Sequence, residues 1–396
     1  MHYIRFLKTP KIHVDDNSTI LKTVVTVTTD LGETFYPHEV VLAATLRSLD
    51  HDGDVYMRKT VTWTAGSRSL PITFDLSHTD VDWPARLHVG VRDGLRADHL
   101  ENHYTPDNLP ALISVWSDAL DPTKGVYESQ RKVERRFTPF GERPLTIWED
   151  TGESIARHLW CVCSRRLFAD AHALNADANT PQRDGSLALT AHIDHLVALQ
   201  GPDTIPLLEH VLASAAYRKL NVLELGCGCG VVGISLAQII PDCNVVLTDL
   251  PEVTEIVQRN IACMKPALSS EVSFVPLDWD APLPSAVSGR IFNLIVVAEC
   301  IYNTDSIPPL VQTIAALLAK SSRAVVVVAT KVRHHSEAMF YDLMAKHGIV
   351  EDGRKALPLP GEPGRGYADS AEQVDLYCFR DKGPVLGREG SDESLK

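Results

Sequence analysis

Hydrophobic and polar positions change rhythm about a third of the way along this chain. Between Thr19 and Asp93 they come in short runs rich in Val, Thr, Ile and aromatics: KTVVTVTTDLG (22–32), EVVLAATL (39–46), KTVTWTAG (59–66), SLPITFDLS (69–77) and RLHVGVRDG (86–94). Each run closes at or beside a turn former, and no helical period intervenes. Such spacing predicts a small all-β sandwich or barrel over residues 1–140. A polar stretch with Pro106, Pro110 and Pro122 follows, and the mixed-charge run Gln130 to Arg136 predicts a linker.

From residue 141 the pattern is different. NVLELG (221–226), NVVLTDL (244–250), VSFVPLDW (272–279), FNLIVVAE (292–299) and AVVVVAT (324–330) are too continuously apolar for one-sided strands and predict strands buried on both faces. Between them VVGISLAQII, PEVTEIVQRNIACM and IPPLVQTIAALLAK repeat apolar residues at three and four, the period of a helix. The alternation predicts an α/β domain over 141–380, a Rossmann-like parallel sheet covered by helices on both sides. It begins with a helix over Glu153 to Phe168 and ends in the strand VDLYCFR (374–380), which follows the loop LPLPGEPGRGY. NADANTPQRDGS (175–186) reads as an insertion loop without chemistry, and residues 381–396 as a disordered tail. The composition break predicts that the two parts separate near Phe137.

Composition narrows the function. With 396 residues, 44% hydrophobic and 22% charged, the chain has ample length for real cores. Thirty-eight Lys and Arg against 51 Asp and Glu leave a net charge of −13, which disfavours a nucleic-acid partner. No run of about 18 apolar residues occurs, so no membrane association is expected. The eight cysteines lack the two-residue spacing of zinc and redox motifs; the close pairs Cys161/Cys163 and Cys227/Cys229 enclose one residue each. The expectation is a reducing compartment, cytoplasmic or nuclear, and no metal. GxSxG is absent, and the glycine turn lacks the Lys-Ser/Thr ending of a P-loop, which leaves hydrolase and NTPase readings without support.

The sharpest motif is ELGCGCGVVG, Glu224 to Gly233, where a buried strand becomes a helix. Glycines there let the backbone turn tightly and approach a ligand, and the helix start offers unpaired N–H groups. Two templates overlap. Gly228, Gly230 and Gly233 satisfy the dinucleotide GxGxxG, with Asp249 placed to take ribose hydroxyls. Glu224, Gly226, Gly228 and Gly230 also satisfy ExGxGxG, motif I of S-adenosylmethionine-dependent methyltransferases. LDWD sets Asp278 and Trp279 at the end of the third strand, in line with Gly226 and Asp249. There an acid can accept from an exocyclic amine and an indole can cover an adenine.

The set ELGCGCG, TDL, QRNI, LDW and AECIY resembles family 16 of the seven-β-strand methyltransferases, which contains many protein-lysine methyltransferases, over about Thr151 to Arg380. That resemblance implies an S-adenosylmethionine cofactor, a protein substrate and methylation of a lysine side chain. Cofactor residues are implied at Trp160, Glu224, Gly226, Cys227, Gly228, Asp249, Asp278, Trp279 and Ala298. Glu299 and Tyr302 match the family's (D/E)xxY signature after strand four and are implied as the catalytic pair. Cys161, after the tryptophan, departs from the small or acidic residue usual there. A lysine acceptor arrives protonated, so Glu299 is expected to hold the ammonium and a collar including Tyr302 to favour the neutral amine. His334 and His335 read as solvated. A small-molecule N- or O-methyltransferase and a non-catalytic adaptor on a methyltransferase scaffold remain as alternatives.

Overall fold

The computed structural model describes residues 1–29, 32, 34–49, 53–93, 98–101, 112–141, 143–151, 185–199, 205–301, 303–331, 338–358 and 373–383. Seventeen strands within these residues form three sheets. A sheet of four joins β1 (His2–Asp15), β2 (Ser18–Thr28), β5 (Leu70–Asp75) and β7 (Leu112–Ile113) in the order β5-β2-β1-β7. A sheet of six joins β3 (Val40–Ser48), β4 (Val55–Trp63), β6 (Ala85–Val91), β8 (Val115–Ser117), β9 (Lys132–Phe137) and β10 (Leu145–Asp150) in the order β10-β9-β8-β6-β3-β4. They pack face to face around one core, and β10 carries the second sheet past the expected limit at residue 140. Leu42, Ala44, Leu46, Leu87, Val89, Val115 and Val133 from the second sheet meet Ile4, Leu21, Val25, Ile72 and Phe74 from the first, all nearly fully buried. Alternation along each strand produces this, since residues two apart share a face.

The run expected to be a linker is β9. Val133, Arg135 and Phe137 point inward while Glu134 and Arg136 lie on the other face, an alternation hidden by charge. Arg135 is tolerated inside because Glu149 on β10 pairs with it at 2.7 Å and its Nη1 donates to the carbonyls of Ile4 and Ser114.

The third sheet has the order β13-β12-β11-β14-β15-β17-β16. Its strands are β11 (Leu220–Leu225), β12 (Cys243–Asp249), β13 (Glu271–Pro276), β14 (Leu294–Ala298), β15 (Val325–Thr330), β16 (Ile349–Pro358) and β17 (Gln373–Asp381). The first five are parallel, and β17 runs antiparallel to both β15 and β16. Alternate residues of each central strand enter two different cores, as with Leu294, Val296 and Ala298 on one side and Ile295 and Val297 on the other. The first core is covered by α1 (Gly185–Leu199), α2 (Pro206–Ser214), α3 (Val231–Ile239) and α4 (Thr254–Cys263). The second is covered by α5 (Ser285–Ser288), α6 (Ile307–Lys320) and α7 (Ala338–Lys346). The Rossmann-like α/β fold preceded by an all-β region is therefore as the patterning implies. β13 differs: it is the edge strand and is only half-buried.

The first core does not stop at residue 141. Met1, Tyr3, Ile113, Phe137, Leu145, Ile147 and Trp148 belong to the same buried cluster as Val222, Val231, Ile234 and Val245. β10 is both the edge of the six-stranded sheet and a neighbour of α4 and α3. The expected helix over 153–168, nearly all of the insertion loop and the tail beyond 383 lie outside the described residues.

Candidate active site

Open parallel sheets bind ligands at the carboxyl ends of their strands, and there the sequence-defined residues converge. β11 passes into α3 through Gly226, Cys227, Gly228, Cys229 and Gly230. Gly226, Gly228 and Gly230 hold φ of 67°, 55° and 80°, left-handed values that disfavour any residue with a Cβ. The turn is tied to the next strand. Cys227 N donates to the Thr248 carbonyl at 3.0 Å, and Thr248 Oγ1 donates to the Glu224 carbonyl at 2.7 Å.

Asp249, at the end of β12 and 1% exposed, accepts from Gly228 N through Oδ2 at 2.8 Å and from Leu250 N through Oδ1 at 2.7 Å. A carboxylate held in this way is an acceptor of the kind that ribose hydroxyls use. The Asp249 carbonyl accepts from Leu277 N at 2.8 Å, which fixes the start of LDW beside it. Asp278 is exposed there, and Trp279 is 9% exposed within the second core.

Glu224 serves the turn from beneath. Its Oε2 accepts from Gly233 N in the first turn of α3 at 2.8 Å. Burial raises its pKa from 4.5 to about 8; the Gly233 N–H opposes that rise and the Asp249 charge adds to it. The Cys229 thiol is also pushed well above its usual range, first by burial and then by the carboxylates of Glu149, Asp249 and Asp150.

β14 ends beside β11, with Val297 opposite Leu225, so Ala298 lies next to Gly226. Cys300 Sγ reaches the carbonyls of Ala298 and Leu225 at 3.2 and 3.4 Å. Glu299 follows with φ of 57°, uncommon for a residue with a side chain, and is 2% exposed; its N–H donates to the Ala329 carbonyl at 2.8 Å. The first residue of α1 lies against its carboxylate: a Cβ on Gly185 would sit 2.1 Å from Glu299 Oε1.

Glu224, Gly226, Cys227, Gly228, Asp249, Asp278 and Ala298 are therefore gathered at one edge, with Glu299 at its far side. Trp160, Tyr302, His334 and His335 lie outside the described residues. Two residues escaped the sequence reading. Gly185 sits at the end of a segment read as a plain loop, and Thr248 stands inside TDL with a hydroxyl whose partner is distant in sequence. Asn260, within QRNI, had a signal but no role; its Nδ2 donates to the Cys229 carbonyl at 2.9 Å.

Comparison with known proteins agrees with this geometry. A family model described as lysine methyltransferase matches residues 139–347, more than half of the chain. The Schizosaccharomyces pombe UPF0665 family protein C23C4.06c is 26% identical over 350 residues, 86% of this chain and 91% of the relative. The Mus musculus protein N-lysine methyltransferase METTL21A is 28% identical over 140 residues, 35% of this chain and 62% of the relative. The Saccharomyces cerevisiae protein-lysine N-methyltransferase EFM2 is 26% identical over 172 residues, 40% of this chain and 39% of the relative. The matched region spans less than two thirds of the length of the last two.

Proposed function

The chain belongs to the lysine methyltransferase family, and from that premise we propose that it methylates the amine of a lysine side chain in a protein, with S-adenosylmethionine as donor. The observation that carries the reading is the left-handed glycine turn whose Gly228 N–H is bound to Asp249 at the end of β12, inside the region that the family model matches. The turn leaves its backbone open to a ligand, and Asp249 beside it is an acid of the kind that binds ribose hydroxyls, the contacts a phosphate-free adenosyl cofactor needs. The residues present fit S-adenosylmethionine on that ground. Gly226, Cys227, Gly228 and Ala298 would hold its amino-acid part, Asp249 the ribose, and Asp278 with Trp279 the adenine. Trp160 and Tyr302 are proposed in their family roles.

The cofactor supplies a methyl group activated for in-line displacement. The protein's part is to bring in the amine and see its proton removed. A lysine ammonium with a reference pKa near 10.4 must become neutral before its lone pair attacks. Glu299, buried beside Ala298, recruits the ammonium by charge, and the amine gives up its proton to solvent before its lone pair attacks. The backbone bond to Ala329 and the α1 start at Gly185 hold this carboxylate in place. The setting we propose is cytoplasmic or nuclear; Cys243, Cys263, Cys300 and Cys378 form no disulfide among the described residues, which is in keeping with it. No described helix is long and apolar enough to cross a membrane.

The test is incubation of the protein with labelled S-adenosylmethionine and fractionated cell extract. Label is expected on protein, released as methyl-lysine on acid hydrolysis. Glu299→Gln should lower labelling about 10- to 100-fold, the equivalent of one charged hydrogen bond, while calorimetry shows cofactor affinity retained. Label confined to small molecules would replace the lysine reading with a small-molecule methyltransferase.

A further inference from the structure

The motif QRNI was singled out by the sequence but has no place in the chemistry above. In the structure its Arg259 and Asn260 lie on α4 at the seam between the sandwich and the α/β part. Asn260 is fully buried and engages both the oxygen and the nitrogen of its amide. Oδ1 accepts from Trp148 N at 2.8 Å; Nδ2 donates to the Trp148 carbonyl at 3.0 Å and to the Cys229 carbonyl at 2.9 Å. One side chain therefore joins α4, β10 and the glycine turn. Around it the seam is stapled by further contacts. The Arg259 guanidinium lies 3.5 Å from the centre of the Trp148 ring and 3.4 Å from Asp118 Oδ1; Lys132 on β9 pairs with Glu255; and Arg143 Nη1 donates to the Pro266 carbonyl at 2.7 Å.

The Cys229 carbonyl is a consequential atom to hold. It stands between Gly228, whose N–H is bound to Asp249, and Gly230, whose N–H closes back on the Cys227 carbonyl at 2.8 Å. Glycines flank it on both sides with positive φ, so its peptide planes meet little steric resistance to rotation. A buried carbonyl without its donor would rotate in search of another, taking with it the backbone that faces the cofactor. We infer that Asn260 is a positioning residue for the cofactor site, and that through it strand β10 makes the N-terminal sandwich a determinant of S-adenosylmethionine affinity. Trp148, paired with Glu134 in the six-stranded sheet, carries that constraint from the sandwich. The inference rests on the cofactor assignment proposed above.

Calorimetric titration of the full-length chain with S-adenosylhomocysteine tests it. Asn260→Ala, measured well below its melting midpoint, should bind about tenfold more weakly than the wild type, on the scale of one buried hydrogen bond to the turn. A purely structural role would lower the midpoint and leave the affinity of the folded protein unchanged. Folded Asn260→Ala with wild-type affinity overturns the inference. A wild-type chain that does not bind S-adenosylhomocysteine overturns the cofactor assignment instead. Where Asn260→Ala does not fold, hydrogen exchange of the wild-type chain decides, because coupling is reciprocal. Saturating S-adenosylhomocysteine should slow the β9 and β10 amides at least threefold beyond any change in β3 and β4, and equal or absent slowing overturns the inference.

Discussion

Glu224 keeps its proton to about pH 8 in the folded chain, because burial beneath the glycine turn penalises its charge and Asp249 adds to the penalty. In the unfolded chain it ionises near pH 4.5. Between those values unfolding releases a proton. Its contribution to stability is therefore complete below the unfolded value, falls as pH rises through the window and levels off above about 8. Glu224→Gln keeps an acceptor for Gly233 N and cannot ionise. Relative to the wild type, the Gln variant should gain stability with rising pH between about 5 and 8, at up to about 1.4 kcal/mol per unit. Urea unfolding of both proteins at pH 5, 6.5 and 8 checks this, and parallel curves would mean that Glu224 carries its charge inside. The Cys243 and Cys378 thiols are both pushed up to about 12 by burial and should stay unreactive to alkylating reagents in the native protein at neutral pH.

At the scale of elements, the approach of α3 to β12 depends on Gly233 having no side chain. A Cβ there would stand 2.4 Å from Leu247 Cδ2 and 2.8 Å from both Val245 Cγ1 and Glu224 Oε2. Gly233→Ala should cost about 1–3 kcal/mol as overpacking, read as a lower urea midpoint. It should also weaken the cofactor, since the helix start and the turn move together. The third glycine of GxGxxG earns its place here by packing, whichever cofactor template is laid over the motif. The same scale explains the misread linker: β9 alternates faithfully, but one of its inward positions is Arg135, legible as interior only once Glu149 is known to lie opposite.

For the whole molecule the sandwich and the α/β part share a core, so cutting at the composition break removes structure from both. A fragment beginning at Phe137 loses β9 and leaves β10 with an unpaired edge. It also strips Met1, Tyr3 and Ile113 from the cluster under α3. Such a fragment should aggregate on size exclusion or melt without a cooperative transition, whereas the full chain should melt in one. Two independent transitions in the full chain, with a soluble fragment that binds cofactor, would show the seam to be a mere contact.

The sequence by itself determined the two architectures, because period-two and two-faced apolar patterns leave few ways to bury their surfaces. It also determined the glycine turn and the acids at the strand ends, because ELGCGCG, TDL and AECIY place those residues at fixed offsets from buried strands. Only the tertiary structure decided what lies across the chain from each. Asn260 meets Trp148 over 112 residues, and Arg135 meets Ile4 over 131. A polar side chain gives no local sign of a partner so distant, and burial, which makes those bonds matter, exists only after the chain has folded.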